Sequence, residues 1–159
     1  MQAEFCLELL KELKMHGVHT AVDTCGYVDR QTLIKVMPYV DVFLYDLKAF
    51  DEGVHFACTG VKNTLIFDNL SYLDKVGKKI EIRIPFVPDY NAKDMEKIAK
   101  FVNRLKCVSK VKILPYHNLA GSKYLSLGME NTLPTTLPNK EDLEKVERLF
   151  TVLSKNNVR

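Results

Sequence analysis

Nowhere in its 159 residues does the chain hold an apolar stretch of about eighteen residues, the length an α-helical membrane span needs. The segment from Met1 to Phe5 has no basic n-region and carries Glu4 early, so no secretory signal is expected there and a cytoplasmic setting is. Charge of one sign is not in excess: 23 Lys and Arg stand against 20 Asp and Glu, a formal net charge of +3. That balance is too mild for a nucleic-acid-binding surface. Internal repeats, low-complexity tracts and clear linkers are missing, which leaves a single domain over residues 1–159. Cysteine is scarce and scattered, at Cys6, Cys25, Cys58 and Cys107, and no two stand in a CxxC or CxxxCxxC spacing. A zinc ribbon or an iron–sulfur loop therefore cannot be read from this chain. In a reducing compartment these thiols are expected to be free and packed as small hydrophobes. Cys25, beside polar residues at a strand end, is the exception.

What remains is globular in composition: 47% hydrophobic and 27% charged. Apolar positions Phe5, Leu7, Leu9, Leu10 and Leu13 predict a helix to Met15, ended by Gly17. His19–Val22 reads as a short strand followed by a turn at Asp23–Gly26. Asp29 is placed to cap a helix that stops before Pro38. The apolar run Val40–Leu47 predicts a strand buried on both faces. Asn63 is placed to cap a helix through Leu65, Ile66, Leu70 and Leu73, ended at Gly77. Lys79–Val87 reads as a strand, with Pro85 and Pro88 marking where it leaves the sheet. A helix over Asp94–Leu105 and a strand over Val111–Leu114 follow. After Gly121 comes a looser stretch with its loop at Leu127–Asn139, then a helix from about Glu141 to Leu153. This β-α alternation, with crossovers long enough for parallel pairing, defines an α/β fold with an all-parallel sheet.

Ionisable residues gather at the carboxyl ends of these strands: Asp23 and Thr24 after the first, Asp46 and Lys48 after the second, Arg83 on the third, His117 after the fourth. In parallel α/β folds that rim is where ligands bind. Two carboxylates suit an ammonium group or a metal cation, while Lys48 and Arg83 suit a carboxylate or phosphate. His117 suits hydrogen bonding or proton transfer. Each residue also has a plain structural role open to it. Asp23 can cap or turn the chain, Lys48 can be solvated, Arg83 can lie on a solvent face, and His117 can be a loop histidine. His16, His19 and His55 lie off this rim and are read as structural.

Five segments carry a resemblance. They are His19-Thr20-Ala21-Val22-Asp23-Thr24-Cys25-Gly26, Phe43-Leu44-Tyr45-Asp46-Leu47-Lys48, Thr59-Gly60-Val61-Lys62-Asn63, Ile82-Arg83-Ile84-Pro85-Phe86-Val87-Pro88 and Leu114-Pro115-Tyr116-His117-Asn118. In this order the chain resembles the radical S-adenosylmethionine enzymes that activate glycyl radical enzymes, the pyruvate formate-lyase activating enzyme family. The resemblance implies a partial parallel (β/α)6 barrel, of which this chain supplies about four βα units. It implies S-adenosylmethionine as cofactor. Asp23 would meet its amino group, and Asp23, Thr24 and Asp46 would hold a monovalent cation. Lys48 and Arg83 would face its carboxylate or ribose, Pro85 would present backbone to adenine through its carbonyl alone, and His117 would approach the nucleoside.

The family's CxxxCxxC loop for a [4Fe–4S] cluster, and its GGE motif, are not in this sequence. The chain is therefore expected to be the C-terminal portion of an activase, inactive by itself, with a sheet edge open to self-association. For the full-length protein the resemblance implies a glycyl radical enzyme such as pyruvate formate-lyase as partner, and flavodoxin or ferredoxin as reductant. It also implies an anaerobic cytoplasm. Two rival readings stand beside it. Asp46-x-Lys48-x-x-Asp51 is similar to the catalytic string of barrel phosphosugar decarboxylases, and a folded remnant or interaction module needs no ligand at all.

Overall fold

Four strands and the helices joining them are described over residues 2–119, 124 and 126–151 of a computed structural model. Helix α1 (Ala3–Met15) closes at Gly17, whose φ of +69° lets the Val18 N–H return to the Leu13 carbonyl at 2.9 Å. Strand β1 is Ala21–Thr24, two residues later than expected. The cause is Asp41: its Oδ2 accepts the Thr20 N–H at 2.7 Å, so the segment before Ala21 is tied by a side chain. Asp23 and Thr24 consequently lie inside the strand and not in the turn beyond it.

Helix α2 (Arg30–Val36) starts where Asp29 accepts the Thr32 N–H at 2.9 Å, and gives way to a single 3-10 turn at Met37–Tyr39 around Pro38. Strand β2 is Val42–Asp46. Helix α3 (Glu52–Thr59) was not expected, although its signals were present: Asp51 accepts the Val54 N–H at 3.0 Å and Gly60 ends the helix at φ +75°. Helix α4 (Thr64–Lys75) buries Ile66, Asn69, Leu70 and Leu73. Asn63 precedes it without capping it: its backbone is already helical, at φ −97° and ψ −3°, and its Nδ2 donates to the Ala49 and Phe50 carbonyls.

Strand β3 is Ile80–Phe86. Pro85 does not end it: Pro85 stays paired with Leu114, on the side where no N–H is asked of it, while β2 has already diverged. Pro88 opens the short helix α5 (Pro88–Asn91), a 3-10 turn follows at Ala92–Asp94, and helix α6 is Met95–Val102. Strand β4 runs Val108–Pro115. Residues 127–139 contain neither helix nor strand. Helix α7 (Lys140–Arg148) begins with a capping box between Asn139 and Asp142. Gly121 and Leu153, near the edges of the expected final segments, lie outside the described residues.

The sheet is parallel throughout in the order β1-β2-β3-β4. Its two faces differ in chemistry. One face presents Phe43, Tyr45, Ile80, Ile82, Ile84, Phe86, Val111 and Ile113, all buried under the helices. The alternate positions present Asp23, Leu44, Asp46, Glu81, Arg83, Pro85, Lys110 and Lys112, which are half-buried or exposed. The expectation that β2 is buried on both faces therefore fails at Leu44 and Asp46. Among the described residues, helices cover one face only.

Candidate functional site

Period-two alternation sets the geometry of the open face. The β2–β3 register places Asp46 opposite Arg83, and the β1–β2 register places Asp23 opposite Leu44, one pleat earlier. Arg83 is long enough to reach both carboxylates. Its Nε donates to Asp46 Oδ1 at 2.9 Å and its Nη2 pairs with the same oxygen at 2.7 Å. Nη2 also donates to Asp23 Oδ1. The Asp23 carboxylate, and Asp46 with it, raise the guanidinium pKa above its ordinary value, so Arg83 is charged at any physiological pH.

Thr24 follows Asp23 on the strand, so alternation carries it away from the open face. Its Oγ1 accepts the Gly26 N–H at 2.9 Å. Gly26 itself sits at φ +73°, and a Cβ there would overlap the Tyr45 hydroxyl, which donates to the Ile66 carbonyl at 2.7 Å. Lys48 is half-buried and makes no ion pair among the described residues. His117 is exposed just beyond β4, whose end is tied to β3 by a Tyr116 N–H to Phe86 carbonyl bond of 3.0 Å. The structure thus joins Asp23, Asp46 and Arg83 directly, sets Lys48 on the same rim, and leaves Thr24 and His117 outside that contact.

Sequence reasoning missed the residues that hold the rim. Asn91, 3% exposed, donates through Nδ2 to the Lys48 carbonyl at 2.8 Å and the Pro85 carbonyl at 2.6 Å. Its Oδ1 accepts the Val87 N–H at 2.9 Å. Asn63 donates to the Ala49 and Phe50 carbonyls at 3.1 and 2.9 Å. Asp94 accepts the Phe50 and Asp51 N–H groups at 3.1 and 2.9 Å. Asn69 secures the loop after β1, donating to the Gly26 and Val28 carbonyls at 2.8 and 2.7 Å while accepting from Arg30 Nε at 2.8 Å. No shared position marked them: Asn91 and Asp94 lie in the short helical turns after β3, Asn63 lies just before α4 and Asn69 lies inside it. His55 is structural as expected: it is buried, with Nδ1 2.8 Å from the Val61 carbonyl.

Beside Lys48 and Pro85 lies an apolar hollow of about 120 Å³, lined also by Ala49, Cys58, Val87 and Tyr90. The same Cys58, Val87 and Tyr90 border a wider hollow of about 350 Å³ that reaches Tyr116 and Pro134. An ion-paired anionic patch, a spare ammonium group and an apolar, aromatic-edged hollow thus adjoin along one rim. Such a site suits a ligand with a zwitterionic end and an aromatic end.

The cysteines lie on α1, in the loop after β1, on α3 and just before β4. Among the described residues no three His, Cys, Asp or Glu side chains are grouped to share a metal ion. The residues of this chain do not fit a [4Fe–4S] cluster. Asp51 of the decarboxylase-like string is committed to the start of α3.

In architecture the described residues form a four-stranded, all-parallel βα sheet. The coproporphyrinogen III oxidase of Escherichia coli, a radical SAM enzyme, shares the fold at a TM-score of 0.65 and 13% identity, over 96% of this chain and 38% of that one. The chain is homologous to the glycyl-radical-enzyme activating enzymes. It is 35% identical over 153 residues to the choline trimethylamine-lyase activating enzyme of Oleidesulfovibrio alaskensis, covering 92% of this chain and 49% of that protein. It is 30% identical over 155 residues to the pyruvate formate-lyase 1-activating enzyme of Escherichia coli K12, covering 94% and 63%. A solved domain of a pyruvate-formate lyase-activating enzyme from Bacteroides vulgatus superposes with a TM-score of 0.79 at 28% identity, over 96% of this chain and 88% of that domain. No family model matches the chain. It spans between about half and 63% of the length of these two full-length relatives.

Proposed function

We propose that this chain forms the part of a glycyl-radical-enzyme activating enzyme that holds S-adenosylmethionine. The observation that carries the reading is the convergence of Asp23, Asp46 and Arg83 on the open face of the sheet, with Lys48 on the same rim. Asp23 receives the ammonium group, Arg83 and Lys48 receive the carboxylate or ribose, and the hollow beside Pro85 and Tyr90 shelters the base. His117 lies toward the nucleoside end. When bound in a complete enzyme, the cofactor supplies the 5′-deoxyadenosyl group that abstracts hydrogen from a glycine of the partner.

The partner in this reading is a glycyl radical enzyme such as pyruvate formate-lyase, the reductant is flavodoxin or ferredoxin, and the setting is an anaerobic cytoplasm. Homology to activating enzymes for several glycyl radical enzymes supports the kind of partner and not its identity. No described helix is long and apolar enough to cross a membrane. Because the sequence has no CxxxCxxC loop, the chain acts as a portion of a longer machine and is inactive by itself.

Calorimetric titration of the purified chain tests this. S-adenosylmethionine is expected to bind at one site, and Asp23→Asn to weaken it at least tenfold, about 1.4 kcal/mol. Strong reductant with the cofactor is expected to release no 5′-deoxyadenosine. Absence of saturable binding overturns the first part, and release of the nucleoside overturns the second. Preferential binding of a ribose phosphate favours the decarboxylase reading.

A further inference from the structure

Strand β4 is an edge. Among the described residues it pairs with β3 alone, in register from Ile80 opposite Val108 to Phe86 opposite Pro115. The Tyr116 N–H bonds to the Phe86 carbonyl, and alternate residues of a parallel strand turn their backbone to opposite neighbours. Lys110, Lys112 and Leu114 therefore turn their N–H and C=O groups to β3, while Val111 and Ile113 turn theirs outward. The usable edge is short. The register shift between Ile80 and Glu81 bounds it on one side, and Pro115, which has no N–H, bounds it on the other. Its side chains divide by face. Lys110 and Lys112 are exposed on the open face, while Val111 and Ile113 join the core.

Charge decides which strand can join. Neither lysine makes an ion pair among the described residues, although Glu81 lies opposite Lys110 in the ladder. Arg83, opposite Lys112, is drawn the other way, onto Asp46 and Asp23. Lys106, exposed just before the strand, adds a third cation on the approach. Lysines on an edge repel a like-charged strand, and they favour one that carries acids on the same face. The other free edge of this chain, β1, meets that demand poorly: its one acid, Asp23, is held by Arg83.

We propose that the β4 edge is a docking site for an extended acidic segment of another protein, which joins the sheet as a fifth strand. The backbone of that segment takes the outward N–H and C=O groups of Val111 and Ile113. Its acids lie beside Lys110 and Lys112 on the open face, and its alternate apolar residues lie beside Val111 and Ile113 on the covered one. The partner segment thus alternates acid and apolar over about five residues, the stretch that β4 leaves open. Docking here does not depend on what the cofactor rim holds.

Fluorescence anisotropy with a labelled Glu-Val-Glu-Val-Glu peptide tests this on the intact chain. Saturable binding is expected, weakening as salt rises. The charge-swapped Lys-Val-Lys-Val-Lys and the rearranged Glu-Glu-Glu-Val-Val are each expected to bind at least tenfold more weakly. Of two further copies, N-methylated on the glutamates or on the valines, one is expected to lose binding at least tenfold, because only alternate amides face β4. The double variant Lys110→Glu, Lys112→Glu, checked for folding by circular dichroism melting, is expected to reverse the preference toward the lysine peptide. Loss of fold cannot produce such a reversal. Absence of saturable binding overturns the proposal. Equal binding of the rearranged peptide makes β4 a general polyanion patch and overturns it too. So does equal binding of both N-methylated copies, or a preference that the double variant leaves unreversed. Self-association that the peptide does not dissolve places a second copy on the edge, and it also overturns the proposal.

Discussion

Asn91 shows how much one side chain contributes to this rim. Both of its amide hydrogens and its carbonyl oxygen are used, on the Lys48 and Pro85 carbonyls and the Val87 N–H. It acts as an extra rung between β2 and β3 at the level where Pro85 has no N–H to offer and β2 has turned away. Truncation to alanine strands three part-buried backbone groups, each costing up to about 1–3 kcal/mol when left without a partner. Partial rearrangement recovers some of that, so Asn91→Ala is expected to lower unfolding stability by about 3 kcal/mol in urea titration. A loss well below about 1 kcal/mol would mean that water or a neighbour satisfies those groups. None of this was legible beforehand, because an asparagine after a strand signals a turn long before it signals a cross-strand tie. Asp23, Asp46 and Arg83 were legible as ionisable groups at the carboxyl ends of successive strands, which parallel α/β folds bring to one rim.

At the scale of elements, most helices and strands could be read from apolar periodicity and glycine stops, and the departures have local causes. Strand β1 begins late because Asp41 holds the Thr20 N–H, and β3 continues past Pro85 because only one of its neighbours is still paired there. The two-sided burial expected of β2 failed because hydrophobicity alone does not tell a covered face from an open one at Leu44. The tie at the amino end of the sheet has a pH signature. Lys14 Nζ lies 2.5 Å from Asp41 Oδ1. That contact, and then the Thr20 N–H, hold the Asp41 carboxyl far below the usual carboxylate range. A depressed native pKa adds stability that is full above the unfolded carboxylate's pKa of about 3.9, declines as pH falls below it, and is gone only below the native pKa. Urea titrations at pH 6 and near pH 3 are expected to show the wild type ahead of Asp41→Asn at both, with the gap smaller at the lower pH. An equal gap at both values would show that the ion pair is not its source.

For the whole molecule, the division into a covered apolar face and an open charged face explains why a segment of this size holds together. The Bacteroides vulgatus domain, of which this chain covers 88%, is the solved structure of a comparable unit. The apolar core lies between the sheet and its helices, so it does not depend on what faces the charged side. Among the described residues β1 pairs only with β2, and β4 only with β3. Such free edges favour strand addition, so sedimentation velocity is expected to show concentration-dependent self-association. A single monomeric species across the concentration range would instead mean that the edges are guarded, with Asp23 on β1 and Lys110 and Lys112 on β4 as the charges in place to do so.

The unbroken strand order has a last consequence, for how the chain is made. Among the described residues, each strand after β1 pairs with the one synthesised just before it. As the polypeptide leaves the ribosome, each βα unit can settle against a surface already formed. Assembly can then follow translation unit by unit, from the amino end of the sheet to the carboxyl end.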